Sequence, residues 1–422
     1  MTDGDAKVDD GAPVAEAGRW GALSSLKILD FTQALSGPFC TQILADHGAQ
    51  VLKIEPMDGG DITRSTGPFH PDDRDRKYSG YFQSINRNKK SMAIDLKSDK
   101  GREIIMEILP HFDVVVENFR LGVMDKLGLS YEAIRKRKPS IIYATVRGFG
   151  DSRSSESPYA NWPAYDPVAQ AMGGVSGVTG PDEDHPTKIG VSIGDIVPGL
   201  YLAIGVLAAV LKARETGHGQ FVDVAMVDAV LAASERIVYQ FHFGKKVAKA
   251  EGNRSPNLSP NGFFPAKDGH VAIAATTQRF FQDLCEALGC TELLADPDYM
   301  SFEGRATNRH RLTAQIENIT SRYTKAELIR LLGGKVPFGP VYDMADIAED
   351  EHFAVREMLP KVDYPEIHDT IRLAGVPVKL SETPGRIKHR APLHGEHGAE
   401  FLMSAGFSED EIRAYRAAHI IK

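Results

Sequence analysis

From Leu26 onward, short apolar runs alternate with stretches of helical period. LKILDFT reads as a strand, QALSGP as a loop, FCTQILADHG as a helix and AQVLKIEP as a second strand. Such a strand–helix–strand unit with short connections predicts a parallel sheet. The pattern continues with a helix from about Lys100 to Pro110, a strand from Asp113 to Phe119, a helical piece near Tyr131 to Lys138 and the strand SIIYATVRGFG, so a doubly wound sheet is predicted. Asp166 to Met172 is helical in period and GGVSGVTG breaks it. IGDIVPGLYLAIGVLAAVLKARETGHGQ, Ile193 to Gln220, then reads as a long apolar helix with Pro198 in its first turn and Gly217 at its C-terminal cap.

After FVDVAMVDAVLAASERIVYQF the composition shifts. GNRSPNLSPNG is loop-like, GHVAIAA reads as a strand and FFQDLCEALG as a helix, which suggests a second, smaller domain of α+β type. A chain of 422 residues exceeds the usual size of a single core, which agrees with two domains. The expected division is a disordered tail over 1–20, the N-terminal part of a large α/β domain over 21–225, a small domain with linkers over 226–339, and a segment over 340–422 that returns to the large domain, with VPFGPV near the re-entry point. The tail is polar and acidic, unlike a secretory signal.

A net charge of -8 argues against nucleic acid as the main partner, since that binding draws on a clustered basic surface. Cys40, Cys285 and Cys290 fit neither a disulfide framework nor a zinc site, and a reducing cytoplasm is the expected location. The apolar stretch Ile196 to Val210 contains Pro and Gly and falls short of the roughly 20 residues that span a bilayer, so no membrane is expected. The histidines are scattered and form no metal set.

Asp195 stands at the mouth of the long helix, where a carboxylate serves either as an ordinary N-cap or as a nucleophile that a ligand can approach between flanking glycines. Asp166, beside Tyr165, marks another helix start. The glycine-broken loop between the two acids could fold back and bring both carboxylates into one pocket. Asn118 and Arg120 of ENFRLG follow the apolar strand DVVV, at the edge where open α/β sheets bind ligands, although a plain polar turn is an equal reading. Arg74, Arg76, Lys77, Arg87, Lys89, Lys90 and Lys97 would suit a ligand with several phosphates, or make a solvated loop. QALSGP offers only Gly37, so the first unit, with Glu55 ending its second strand, lacks a dinucleotide signature.

In order and spacing, LKILDFTQALSGPFCTQILADHGAQVLKIEP, GDITR, NRNKKSMAIDLK, DVVVENFRLGVMDKLGL, AYDPVAQAMGG, the Ile193 to Gln220 segment, GNRSPN, VPFGPV and APLHGEH resemble the class III CoA-transferase family, CaiB/BaiF, from about Leu23 to the C-terminus. The resemblance implies an interlocked homodimer of Rossmann-like large domains and smaller domains. It places the catalytic aspartate, in a GDxxxG motif, at Asp195, with Gly194 and Gly199 around it, and a second acidic residue of the site at Asp166. CoA contacts carry over to Ile94, Lys97, Asn118, Phe119, Arg120 and Tyr165. Two family arginines are replaced by Pro56 and Lys126, which moves phosphate contacts towards Lys126 and Lys53 or Arg64. Leu35 replaces a glutamine of formyl-CoA transferase, which speaks against a formyl-CoA and oxalate pairing. The substrate loop differs, with Gly262 as a candidate backbone donor.

The resemblance implies CoA transfer from an acyl-CoA donor to a small carboxylic acid through an aspartyl-CoA thioester, with coenzyme A as substrate and no prosthetic group or metal. Backbone N–H groups of nearby glycines would stabilise the oxyanions, and the helix N-terminus would keep Asp195 ionised. A succinyl-CoA pairing is the leading expectation, with Arg64, Arg279 and His270 as candidate carboxylate partners. Two alternatives stay open. An α-methylacyl-CoA racemase shares the fold but carries His where this chain has Tyr165, whose phenol, with an ordinary pKa of about 10, is a poor base. A non-catalytic acyl-CoA-binding protein would use Asp195 only as a cap.

Overall fold

The apolar runs are strands because both of their faces are covered. In a computed structural model, which describes residues 20–255 and 257–422, they build a sheet of β1 (Lys27–Asp30), β2 (Gln50–Glu55), β3 (Lys90–Ala93), β4 (Val114–Glu117), β5 (Ile142–Arg147) and β6 (Phe221–Ala225). The order is β3-β2-β1-β4-β5-β6 and every neighbouring pair is parallel, with Leu29 opposite Leu52 on one side and Val115 on the other. All residues of β4 and β5 are buried, which accounts for runs such as VVVE without polar alternation. The strand order reverses between β1 and β4, the place in an open parallel sheet where the loops leaving the carboxyl ends part and ligands bind. The expected strand through Phe119 is shorter, because Asn118 and Phe119 leave the ladder after Glu117. The expected tail over 1–20 lies, apart from Trp20, outside the described residues.

The chain divides into two compact units. One holds the chain up to Ala169, Ser192–Val230 and Glu357–Lys422; the other holds Gln170–Val191 and Leu231–Arg356. In the first, the C-terminal segment lies against β3: Ile94 bridges to Ile421, and Leu402 and Ile412 join the core of Leu29, Ile54 and Val115. The second unit has an antiparallel sheet of β7 (Asn261–Ala266), β8 (Gly269–Ala274) and β9 (Phe338–Pro340), the last supplied by VPFGPV. Phe264, Val271, Phe281, Leu284, Leu312 and Leu328 form its core. The first unit resumes only at Glu357.

The long helix runs over Ile193–Thr216, 24 residues, further than the apolar stretch read from the sequence. Pro198 sits early enough in it to be accommodated, and Gly205 does not interrupt it. By length and composition alone it could cross a bilayer, with 39% of its apolar window buried. Here one face, with Leu202, Val206 and Val210, is buried, and the helix packs on helix Ser36–Asp46, β5 and β6.

Candidate functional site

Two side-chain devices shape the crevice at the sheet reversal. Gln33, just past β1, donates its N–H to Asn118 Oδ1 at 2.8 Å, and Asn118 Nδ2 returns a hydrogen bond to the Gln33 carbonyl at 2.7 Å. The next residue, Ala34, has φ +64, a left-handed conformation rare for a residue with a Cβ, and its N–H points to Asp61 Oδ1 at 3.4 Å. The loop after β1 is thus tied to the ends of β4 and β2 before helix Ser36–Asp46 begins.

The long helix joins this edge through two glycines of GDIVPG. A Cβ on Gly199 would lie 2.7 Å from the Ser36 carbonyl oxygen, so only glycine lets the helix settle on the start of helix Ser36–Asp46. A Cβ on Gly194 would lie 2.6 Å from the Asp166 carbonyl oxygen, and this close approach lets the Gly194 N–H donate to Asp166 Oδ1 at 2.9 Å. Asp166 is buried and caps the first turn of the long helix from outside it. The N-cap residue itself is Ser192, and its side chain makes no capping bond.

Asp195 is therefore not the N-cap that one reading of the sequence allowed. It is the third helical residue, half-buried, with no side-chain hydrogen bond or ion pair among the described residues. Burial, and then the charge of Asp166, push its carboxyl up to about 7. Against the expectation that the helix N-terminus keeps the group ionised, desolvation and a like charge outweigh the dipole. Of the nearby glycines expected to offer N–H groups to an oxyanion, Gly194 is already engaged, its N–H held by Asp166. Tyr81, which sequence reasoning missed, stands at the same place. Its phenol is raised by burial and then by Asp195, Asp61 and Asp166. Nothing in its spacing set it apart from the core-facing Phe82 next to it.

The expected CoA contacts fall into two groups. Lys97, Arg120 and Lys126 are exposed on the carboxyl side of β3 and β4, and Tyr165 is 67% exposed. Asn118 is half-buried with its latch to Gln33. Phe119 is half-buried and held by its backbone, its N–H donating to Glu117 Oε2 at 2.8 Å and its carbonyl accepting from Arg147 Nε at 3.0 Å. The second group is enclosed. Lys53 is fully buried, with Nζ 2.9 Å from Asp61 Oδ2 and donating to the Thr32 carbonyl, so it cannot meet a phosphate. Ile94 is fully buried in the apolar core and offers no side-chain contact either.

The basic run dissolves in the same way. Lys89 is buried on Asp30 at 3.1 Å and burial drives it down to about 8, while Arg87 is buried against Asp46 at 2.7 Å. Arg64 forms a two-pronged pair with Glu55 at 2.7 Å to each oxygen. Lys90 reaches Glu400, and Arg74 and Arg76 are exposed. In the second unit, Arg279 and His270 are exposed and Gly262 is paired inside β7. A cavity of about 1260 Å³ lies at the amino ends of the strands, lined by Lys27, Gln50 and Lys90 among others, on the edge opposite the crevice. Among the described residues no cluster of His, Cys, Asp and Glu is placed to hold a metal ion.

With this geometry in view, comparison with known proteins is specific. Residues 23–398 match the model of CoA-transferase family III. The chain is 44% identical over 386 residues to a succinyl-CoA:mesaconate CoA-transferase of Haloarcula hispanica, covering 92% of this chain and 97% of that protein. It is 32% identical over 405 residues to a succinyl-CoA–D-citramalate CoA-transferase of Chloroflexus aurantiacus, covering 94% and 98%. A crystal structure of a CaiB/BaiF family protein from Brucella suis superposes with a TM-score of 0.82 at 33% identity, covering 92% of this chain and all of that one.

Proposed function

The chain belongs to CoA-transferase family III, and from that premise we propose that Asp195 carries the transferred CoA as an aspartyl thioester. The activity is transfer of CoA from an acyl-CoA to a carboxylic acid. One observation supports the role of Asp195 above all: its carboxylate has no hydrogen-bond partner among the described residues, yet sits beside a second carboxylate at the sheet reversal. A carboxylate that serves only structure would be satisfied by neighbouring N–H groups.

In the proposed cycle the Asp195 carboxylate attacks the thioester carbonyl, and the C–S bond breaks to give a mixed anhydride and CoA thiolate. The thiolate then attacks the aspartyl carbonyl and expels the donor acid as its carboxylate. The acceptor carboxylate repeats both steps in reverse. A carboxyl raised to about 7 is half ionised near neutrality and is more basic, hence more nucleophilic, than an ordinary aspartate. Asp166 acts through position and charge, holding the first turn and raising its neighbour. Tyr81 is the candidate donor to the oxyanion, in place of the occupied Gly194 N–H.

Lys97, Arg120 and Lys126 are proposed to meet the phosphates of CoA, with Asn118, Phe119 and Tyr165 beside its arm. Strands lie about 4.8 Å apart, so residues after β3 and β4, three strand positions apart, are roughly 14 Å from each other, within the reach of an extended ligand. The names of the relatives favour succinyl-CoA as donor and a branched C5 dicarboxylic acid as acceptor. An interlocked homodimer in the cytoplasm completes the proposal. Leu200, Tyr201, Ile204 and Leu211 support it, being large apolar side chains exposed on the long helix.

The test is trapping. Incubation with succinyl-CoA followed by hydroxylamine should place a hydroxamate on Asp195, read by peptide mass spectrometry. Turnover that persists in Asp195→Ala, with no adduct in the parent protein, would overturn the covalent route.

A further inference from the structure

Helix Gln278–Leu288 ends in a Schellman turn. The Cys290 N–H donates to the Cys285 carbonyl at 2.8 Å, the Gly289 N–H donates to Glu286 at 3.3 Å, and Gly289 takes the left-handed φ of +69 that the turn requires. In this turn the side chains that flank the reversal, one in the last helical turn and one just past the glycine, touch, usually as an apolar contact. Here both are thiols. The backbone bond across the turn holds the two residues side by side, and each thiol bears on the other's titration, the proton affinity of Cys285 being raised and that of Cys290 lowered. Neither cysteine is given a part in the CoA-transfer chemistry proposed above; both belong to the second unit, and Asp195 to the first.

A third group adjoins the pair. Arg305 is 1% exposed and has no carboxylate in ion-pair range among the described residues. Its guanidinium lies 4.8 Å from the centre of the Phe281 ring, one helical turn before Cys285. Nη1 donates to Gln278 Oε1 at 2.7 Å and to the Tyr299 carbonyl at 3.1 Å, Nη2 donates to the Thr276 carbonyl at 2.9 Å, and Nε has no partner. A buried cation without a counter-ion is costly, and the thiol of Cys285 is the ionisable group nearest in effect to it.

We propose that Cys285 and Cys290 are a redox modification site, a thiol pair that a hydroperoxide closes to a disulfide across the helix end. Cys290, the thiol of the pair with the lowered proton affinity, is assigned as the attacking thiolate. Its sulfur takes the distal oxygen of the peroxide as the O–O bond breaks, giving a sulfenic acid and, after protonation, one water. Cys285 then loses its proton, helped by Arg305, and attacks the Cys290 sulfur; the S–O bond breaks and a second water leaves. Two thiols are oxidised and one hydrogen peroxide is reduced to two waters. Burial of both sulfurs restricts the oxidant to a small one, and the turn already brings the two residues together as a short-range disulfide requires.

The experiment uses the whole protein. Both cysteines fall in one tryptic peptide, residues 280–305, because no Lys or Arg intervenes before Arg305. The folded protein is treated with hydrogen peroxide, quenched, alkylated under denaturing conditions and digested. The expected result is that this peptide resists alkylation and is 2 Da lighter than its reduced form, while Cys40 is alkylated as before. Two alkylated thiols in 280–305, at a peroxide dose that closes the pair in the guanidinium-unfolded chain, would overturn the proposal. In Arg305→Met the sulfenic acid on Cys290, trapped by dimedone, should accumulate, with closure slowed about tenfold, the change expected from one unit of Cys285 proton affinity. Closure at the parent rate would remove Arg305 from the mechanism. Cys290→Ser should form neither the sulfenic acid nor the disulfide, and a trapped sulfenic acid on Cys285 would reverse the assigned order.

Discussion

Asp166 holds the backbone N–H of Gly194 on one carboxylate oxygen at 2.9 Å, and in doing so brings its negative charge to the residue that follows, Asp195. One carboxylate thus anchors the start of a helix and sets the protonation of another. The rate of adduct formation on Asp195 should therefore rise with pH to a plateau, with its midpoint near 7. Asp166→Asn keeps an acceptor for Gly194 but removes the charge, and should move that midpoint to lower pH. Measuring hydroxamate yield against pH in both proteins checks this, and an unchanged midpoint would contradict it.

The same raised carboxyl affects stability. A group with folded pKa about 7 and an unfolded value near the ordinary aspartate figure of about 3.9 favours the folded state below the unfolded value. That benefit is lost as pH rises through the folded value. Asp195→Asn, which cannot ionise, should have a higher melting temperature than the parent at pH 8. The gap should narrow steadily as pH falls from 7 towards 4, while activity is lost by about a thousandfold or more at every pH. Calorimetry over that range is the measurement.

Gly199→Ala would force a Cβ to within 2.7 Å of the Ser36 carbonyl oxygen, a backbone atom that cannot rotate away. Overpacking of this kind costs about 1–3 kcal/mol. The variant should show that loss in denaturant melts. Because the strain moves the long helix off the loop after β1, kcat should fall more than KM rises.

Lys53 and Arg120 should behave as opposites. Arg120→Ala, and likewise Lys97→Ala or Lys126→Ala, should raise the KM for acyl-CoA by about tenfold with stability intact, an effect that weakens at high salt. Lys53→Met leaves Asp61 buried without its cation and should destabilise the fold by about 3–5 kcal/mol. Steady-state kinetics beside thermal melts separates the two.

Local patterns in the sequence carried much of the fold. The apolar runs of β1, β2, β4 and β5 and the helix Asp166–Met172 are visible in the chain because burial on both faces, or along one stripe, dictates the residues directly. Asp195 and Asp166 stood out for their place at helix starts. Less visible was which charges are enclosed. Lys53 with Asp61, Lys89 with Asp30 and Arg87 with Asp46 are pairings between separate elements, and a run of basic residues looks the same whether its members face water or one another. The use of Gly194 depends on a helix 28 residues earlier in the chain, and Tyr81 meets Asp195 from a separate helix, Gly80–Asn86. The Schellman turn between Cys285 and Cys290 was readable in part, as a glycine ending a helix, but the backbone bond that sets the two cysteines side by side was not.

Asn118→Ala removes both halves of the bond pair with Gln33 and should raise the KM for acyl-CoA, with a stability loss of about 1–3 kcal/mol. Asn118→Asp keeps one acceptor and should fall between the parent and the alanine variant. Equal kinetics in all three would show that the pair has no bearing on the ligand.

Because Gln33 and Asn118 each satisfy the other, the mouth between β1 and β4 has its width set before anything enters it. An incoming nucleotide arm then finds a socket already shaped and loses little freedom of the polypeptide on docking, so discrimination among donors falls to the acyl end. Substrates that share the same carrier and differ only in a few carbons would thus start from the same hold on the protein, and their ranking would be decided at the reacting carbonyl.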